Sequence, residues 1–364
     1  MVTFHGKWVC TDARMITLVP ILAAVLYNEL LKRSIDARFI NTSAAKNESN
    51  QGKFSLKKIF SFLHVYRSTL FVGKYDVVYM TPGQTFFGVV KYAPFIFSCL
   101  YLKKPFIIHV HGNHFGSEYK SLTGFKKKMF KSLVTKARAG IVLSHSLRHN
   151  FESLLDNERT YVVPNFVEDS LFAVDAPKQT DKLRILFLSN LMEEKGVFDL
   201  LDALRKLKDK GILFEAVFAG SVESSLAGRL DSLFSSLGDN VKYIGTISGE
   251  DKRQRLLDAN VLILPTYYKM EGQPIALLEG MATGNIIIST RHAGIPDIVS
   301  ELNGFLVPPK SSAHICACLE RLSTDLPKMI QKYANTNKAY AQQNFTVDAF
   351  TNNILQVLNA STKT

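Results

Sequence analysis

Residues 264–300 read LPTYYKMEGQPIALLEGMATGNIIISTRHAGIPDIVS. The aliphatic run Val261–Leu264 that leads into them is short and stopped by Pro265, the mark of a buried strand. After a loop, Gly272, Gln273 and Pro274 precede Ile275, Ala276, Leu277, Leu278 and Glu279. Proline suits the first helical position, where its missing N–H would have no partner anyway, so Gly272–Pro274 is expected to begin a helix. A helix that opens from a loop at the end of a buried strand offers unpaired N–H groups and the positive end of a dipole, a natural seat for phosphate. Glu271 and Glu279, the latter expected about two helical turns on, bracket that seat. Carboxylates beside a phosphate rather than on it suit sugar hydroxyls. Taken alone the pair could equally be a helix N-terminal charge and an exposed helix residue. What favours a site is the company: Gly284, a second strand Ile286–Thr290, and a further turn Ala293-Gly294-Ile295-Pro296.

The sequence E-G-x-P-x-x-x-x-E followed by a strand ending in S-T and then G-I-P-D resembles the retaining nucleotide-sugar glycosyltransferases of the GT-B fold, family 4 (glycosyl transferases group 1). The resemblance implies an α/β chain of two doubly wound Rossmann-like domains facing a central cleft. It implies Glu279 on the ribose hydroxyls of the donor, Glu271 on the sugar hydroxyls, and Gly272, Gln273 and Pro274 at the diphosphate.

The 364 residues are enough for two domains, and 46% hydrophobic against 21% charged residues is a globular balance. The most apolar segment, Phe86–Leu102, is interrupted by Lys91 and Pro94, so no spanning helix is expected. MVTFHGKWVC has no basic start followed by an apolar core and cleavage site, and a cytoplasmic location is expected. Cys10, Cys99, Cys316 and Cys318 are scattered and suggest neither a disulfide framework nor a zinc site.

The net charge of +12 is one-sided: residues 1–180 hold 24 Lys or Arg against 12 Asp or Glu, whereas residues 181–364 hold 20 of each. A polyanionic partner is therefore expected for the first half. Lys53, Lys57, Lys58, Arg67 and Lys74 interleave with apolar residues, and Phe125-Lys126-Lys127-Lys128-Met129-Phe130-Lys131 forms a second basic run. Each could be an ordinary amphipathic helix. Together they favour an anionic membrane surface, with the protein peripheral on the inner face of the cytoplasmic membrane. Nucleic acid is not expected, since no stacking motif, helix-turn-helix pattern or zinc-finger spacing is present.

Apolar runs alternating with helical patterns predict βαβ units and parallel sheets. The strands expected are Val2–His5, Ala37–Asn41, Asp76–Met80, Phe106–His111, Ala139–Ser144 and Thr160–Val163, then Arg184–Ser189, Phe214–Ala219, Val241–Ile244, Val261–Leu264, Ile286–Thr290 and Phe305–Val307. The domains expected are 1–170 (basic, acceptor-side), 171–338 (nucleotide-sugar binding) and a terminal helical segment 339–364 that, by the resemblance, crosses back to the first domain. Val167–Lys182 reads as the linker.

Outside the opening stretch, His109, His111 and His114 cluster at the end of one strand. A metal set lacks further ligands, histidines that merely cap the strand are the plain alternative, and the resemblance puts His111 against the transferred sugar. Ser189–Val197 resembles the family's G-R-L…K-G segment: Lys195-Gly196 matches, and Asn190 stands where an arginine would reach the diphosphate. Asn190 can give only a neutral hydrogen bond, so Lys195 carries more of the task. Val163-Pro164-Asn165-Phe166 resembles V-P-N-G, with Asn165 read as a turn residue. Gly220 and Gly245 follow strands; Gly245 is either a plain turn or a close approach to the nucleotide. The single glycine of Gly6–Asp12 departs from the glycine-rich first loop of the family.

The expected activity is transfer of a sugar, with retention, from a UDP- or GDP-sugar to a glycan or polyprenyl-diphosphate-linked acceptor in surface polysaccharide synthesis. Glu271, Lys195 and His111 are the catalytic candidates, and Asn190, Gly272, Gln273, Pro274, Glu279 and Gly245 bind the donor. Lysine and helix start take the place of a metal, so no cofactor is expected. A same-fold sugar-nucleotide epimerase or phosphorylase, and a non-catalytic subunit that binds a nucleotide sugar or glycan, stay open.

Overall fold

A computed structural model of the chain describes residues 8–12, 19–41, 65–173 and 177–362. The expected strand Val2–His5 and the basic run at Lys53, Lys57 and Lys58 lie outside them. The chain divides into two compact units, one of residues 1–164 and 350–364 and the other of residues 165–349.

The first unit carries strands β1 (Trp8–Asp12), β2 (Ala37–Asn41), β3 (Val77–Met80), β4 (Phe106–Val110), β5 (Ala139–Val142) and β6 (Thr160–Val162). They form one parallel sheet in the order β2-β1-β3-β4-β5-β6. The second unit carries β7 (Leu183–Leu188), β8 (Phe214–Ala219), β9 (Val241–Tyr243), β10 (Val261–Leu264), β11 (Ile286–Thr290) and β12 (Gly304–Val307). Its parallel order is β12-β11-β10-β7-β8-β9. Strand order therefore reverses between β7 and β10, which start opposite connections. In an open parallel sheet this switch leaves a crevice beyond the strands' carboxyl ends, where ligands bind.

The sequence pattern explains the layers. β10 and β11 are buried along their whole length, as strands covered on both faces must be. Helix Val197–Asp209 buries Val197, Leu200, Leu201, Leu204 and Leu207 on one stripe, the spacing that marks it in the sequence.

The terminal and linker segments differ from expectation. The terminal pattern is two helices, Leu326–Asn344 and Val347–Thr362. The break comes at Thr346, whose Oγ1 accepts the Ala349 amide at 3.1 Å and caps the start of the new helix. Upstream of the second sheet, the segment read as a linker is tied down by Lys178. Its Nζ donates to the carbonyls of Leu256 (2.9 Å), Leu257 (3.0 Å) and Ala259 (2.6 Å), closing the carboxyl end of helix Gly249–Asp258.

Burial first, and then the nearby Lys338, pull the Lys178 ammonium down to about 7, against opposition from Asp258. Between that value and the ordinary 10.5 the unfolded chain binds more protons than the folded one, so this group makes stability rise with pH across that window. Lys178→Met strips partners from buried carbonyls and is expected to lower unfolding free energy by about 2–4 kcal/mol at neutral pH. It should also flatten the stability profile above neutrality. Denaturant titrations of both proteins from pH 7 to 10 measure both effects, and parallel profiles would show that the amine keeps its ordinary pKa.

Candidate active site

Two loops leave the switch point of the second sheet, 189–196 after β7 and 265–274 after β10, and backbone contacts zip them together. Tyr267 donates its amide to the Glu194 carbonyl at 2.7 Å, and Thr266 Oγ1 reaches the same oxygen at 3.3 Å. Gly196 sits at φ +76°, and a Cβ there would lie 2.3 Å from the Pro265 carbonyl oxygen. Only glycine combines that left-handed turn with that approach. The consequence is a contact between side chains 76 positions apart: Lys195 Nζ lies 2.7 Å from Glu271 Oε2, both largely buried. Thr266 Oγ1 donates to the same carboxylate oxygen at 2.8 Å, and the lysine ammonium stands 5.0 Å from the centre of the Tyr268 ring. Spacing alone placed Glu271 beside the cation's anion site; the structure puts its carboxylate on the cation.

The end of β11 and the turn after it hold this arrangement from the other side. Ser289 Oγ donates to the Leu264 carbonyl at 2.6 Å, and Thr290 Oγ1 to that of Thr266. His292 Nε2 meets the Tyr268 carbonyl at 2.8 Å, while Gly294 donates its amide to the Gly272 carbonyl at 3.0 Å. So the S-T and G-I-P-D stretches of the sequence act as straps on the loop that carries Glu271.

Helix Ile275–Ala282 begins one residue later than expected, with Pro274 as its N-cap at φ −63°, ψ 119° rather than inside the first turn. Extended ψ at a residue in that position is what an N-cap requires. Glu279 therefore stands little more than one turn into the helix. The entry is clamped by Asn165: its amide donates to Gln273 Oε1 at 2.7 Å and its Nδ2 to the Gln273 carbonyl at 2.8 Å. Asn165 thus fixes the helix start, a role that its turn motif did not reveal.

Glu279 is buried and pairs with Lys252 Nζ at 2.6 Å. Burial raises its pKa; Lys252 opposes the rise and Glu168 adds to it. Lys252 was not foreseen, because nothing in the sequence links helix Gly249–Asp258 to Glu279. Asn190 accepts a hydrogen bond from Ser221 Oγ at 2.8 Å through Oδ1. Gly220, at φ +150°, donates its amide to the Gly245 carbonyl at 2.8 Å, and a Cβ on it would meet the Ser189 carbonyl oxygen at 1.9 Å. Gly245 has φ +74° with open space around the position of a Cβ. Its glycine is required by the turn.

His111 belongs to the first unit, just beyond β4. Its ring stacks on that of His109, centroids 4.1 Å apart, and His109 Nδ1 lies 2.5 Å from the Tyr79 hydroxyl. Full burial, and then His111, hold His109 well below the ordinary imidazole range. His114 Nε2 faces Glu118 at 3.5 Å. Among the described residues, no group of three or more His, Cys, Asp or Glu side chains is arranged to hold a metal ion.

With that geometry in view, comparison with known proteins bears on the second unit. Residues 171–343 match the family model for glycosyl transferases group 1. This part of the chain is thus similar to the glycosyl transferases group 1 family. The amylovoran biosynthesis glycosyltransferase AmsK of Erwinia amylovora is 34% identical over 146 residues, 39% of this chain and 36% of AmsK. The chain thus spans little more than a third of the length of that relative. Among solved structures, a glycosyltransferase from Rickettsia africae superposes with a TM-score of 0.80 at 15% identity, covering 99% of this chain and 100% of its own. HepE of Anabaena, solved in complex with UDP-glucose, gives 0.73 at 16% identity, covering 98% and 100%. At such identities the likeness shows the fold, which is GT-B.

The raised pKa of Glu279 yields a test. If its carboxylate is the acceptor for donor hydroxyls, affinity for a nucleoside diphosphate should fall on acidification at a pH above the ordinary carboxylate value of 4.5. Glu279→Gln should bind more weakly at neutral pH and lose that acid limb. Calorimetric titration with UDP and GDP from pH 5 to 8 gives the comparison, and an identical acid limb in the variant would remove Glu279 from the binding site.

Proposed function

We propose that this protein moves a sugar from a nucleoside diphosphate sugar, UDP- or GDP-linked, to a glycan or lipid-linked acceptor with retention at the anomeric carbon. The observation that carries the proposal is the Lys195–Glu271 pair, at 2.7 Å, in loops leaving the switch point of the second sheet, within the stretch that matches the glycosyl transferases group 1 model. When the bond between sugar and diphosphate breaks, the electron pair leaves with the diphosphate. The transition state therefore needs positive potential at the phosphate oxygens more than it needs a base. Lys195 and the N–H groups of Gly272 and Gln273, in the loop that enters helix Ile275–Ala282, supply it. A diphosphate drawing the ammonium toward itself would release Glu271 to accept from sugar hydroxyls, while Glu279 accepts from the ribose. Asn190 offers its amide to the diphosphate, and His111 is assigned to the sugar by family resemblance. No metal enters this scheme.

Surface polysaccharide synthesis is the context proposed, supported by the similarity to a glycosyltransferase named for amylovoran biosynthesis. A polyprenyl-diphosphate-linked acceptor and transfer of a hexose or N-acetylhexosamine fit that context.

Lys195→Ala should lower turnover by about 10²–10³, as loss of one preorganised donor to a developing anion does. Because it leaves Glu271 buried with one partner fewer, it should also cost about 3–5 kcal/mol in stability. Lys195→Ala with Glu271→Gln should recover most of that stability without recovering turnover. Sugar transfer is read from acceptor-dependent release of nucleotide at a temperature where all variants are folded. Unchanged turnover in folded Lys195→Ala would take the lysine out of the mechanism.

A further inference from the structure

Lys252 and Glu279 each stand where their own surroundings disfavour them. Lys252 lies in the first turn of helix Gly249–Asp258, whose dipole favours the acidic Glu250 and Asp251 beside it and disfavours a cation. Glu279 is the one ionisable residue of helix Ile275–Ala282, otherwise built of aliphatic and small side chains, and it is only 6% exposed. The two meet at 2.6 Å, Lys252 Nζ donating to Glu279 Oε1. Two apolar residues of similar volume would hold such a position at least as well, without the desolvation of two charges, so packing alone does not account for the pair. Where local preference is broken at both ends of one contact, function is the reason to look for.

The helix that carries Lys252 is fixed at its other end, where Lys178 closes the last carbonyls, and Leu256 anchors it to the core. Of the charges that bear on Glu279, Lys252 comes from this helix and Glu168 from the residue ahead of the short turn Asp169–Leu171. Lys338, on helix Leu326–Asn344, comes instead against Gly284, past the far end of the helix that holds Glu279. Among the described residues Lys252 is thus the one cation at hydrogen-bond distance from the carboxylate, and no donor reaches its other oxygen, Oε2.

We infer that Lys252 is a positioning residue of the nucleotide site: it holds Glu279 by one carboxylate oxygen, keeps the group ionised, and leaves the other oxygen for a ribose hydroxyl of the incoming nucleoside diphosphate. The inference rests on the proposal that Glu279 accepts from the donor ribose, and Lys252 acts only through that carboxylate. An ionised carboxylate accepts and cannot donate, so a nucleotide with a hydroxyl at that place is preferred to one without. A 2′-deoxyribose would leave a desolvated charge short of a donor, which is penalised more than a missing bond between neutral groups. Burial already pushes Glu279 toward its neutral form and Lys252 opposes it. Without the lysine the carboxylate takes up its proton at a higher pH, and the preference for the hydroxyl goes with the charge.

The test is calorimetric titration of the full chain with UDP, GDP and their 2′-deoxy forms from pH 5 to 8, for wild type, Lys252→Arg, Lys252→Gln and Lys252→Met. Wild type should prefer the ribonucleotide by about ten- to a hundredfold, the usual worth of a hydrogen bond to a charged group, and lose that preference on acidification. The midpoint of the loss should move up by about one pH unit or more in Lys252→Met, as removal of an opposite charge at this distance requires. It should fall between the two in Lys252→Gln, which keeps a donor but no charge and remains measurable if Lys252→Met does not fold, and return toward wild type in Lys252→Arg. A lysine that merely props the helix would alter thermal stability and leave the midpoint in place. Midpoints equal to wild type in Lys252→Gln and Lys252→Met, with the acid loss still abolished by Glu279→Gln, would overturn the role of Lys252 and leave the donor site standing. Nucleotide that binds wild type and Glu279→Gln alike, or neither, would overturn both.

Discussion

The hydrogen bond from the Tyr267 amide to the Glu194 carbonyl fastens the loop after β7 to the loop after β10, and the rest of the candidate site is arranged around that joint. It brings together a lysine and a carboxylate 76 residues apart in sequence. Neither strand could do this alone, since β7 and β10 diverge in their connections. The approach is close enough to exclude any Cβ at position 196, so Lys195 is followed by glycine for a reason of backbone volume. The lysine's chemistry therefore depends on a neighbour with no side chain.

A site so assembled must resist the charges that it buries. Glu279 is enclosed by a helix otherwise made of Ile275, Leu277, Leu278, Met281 and small residues, and Lys252 is the cation set against it. Each of the two site carboxylates thus has a lysine at hydrogen-bond distance, Lys195 for Glu271 and Lys252 for Glu279. Burying one member of either pair without the other would be strongly unfavourable. In the proposed reaction a diphosphate would add negative charge beside Lys195, whose ammonium is otherwise balanced by Glu271.

Much of this was legible in the residues. Strands Ala37–Asn41, Phe214–Ala219, Val261–Leu264 and Ile286–Thr290 have the limits expected of them; Val261–Leu264 shows the unbroken apolar run of a strand buried on both faces, whereas Arg38 and Glu215 interrupt two of the others, which are only partly buried. The helix opening after Gly272 was visible from proline and glycine chemistry, to within one residue. Contacts between distant segments were not: Lys252 on Glu279 and Asn165 on Gln273 both depend on where tertiary packing brings separate elements together. The break at Thr346 was hidden for a different reason. Apolar residues continue in helical register on both sides of it, and only the capping hydroxyl marks the end.

The uneven charge has a structural counterpart that separates two kinds of positive residue. In the second unit the site lysines are partly buried and each meets a carboxylate, so they contribute little to the field far from the protein. Between Arg67 and Arg138 carboxylates are scarce, and both lie against partners of their own, so lysines there project a field that salt screens only beyond about 8–10 Å. The balanced half suits recognition of one small anion at fixed geometry. The unbalanced half is the one whose helix Ala93–Tyr101 also carries exposed rings, Phe97 and Tyr101, so its positive charge and its exposed apolar side chains belong to the same unit.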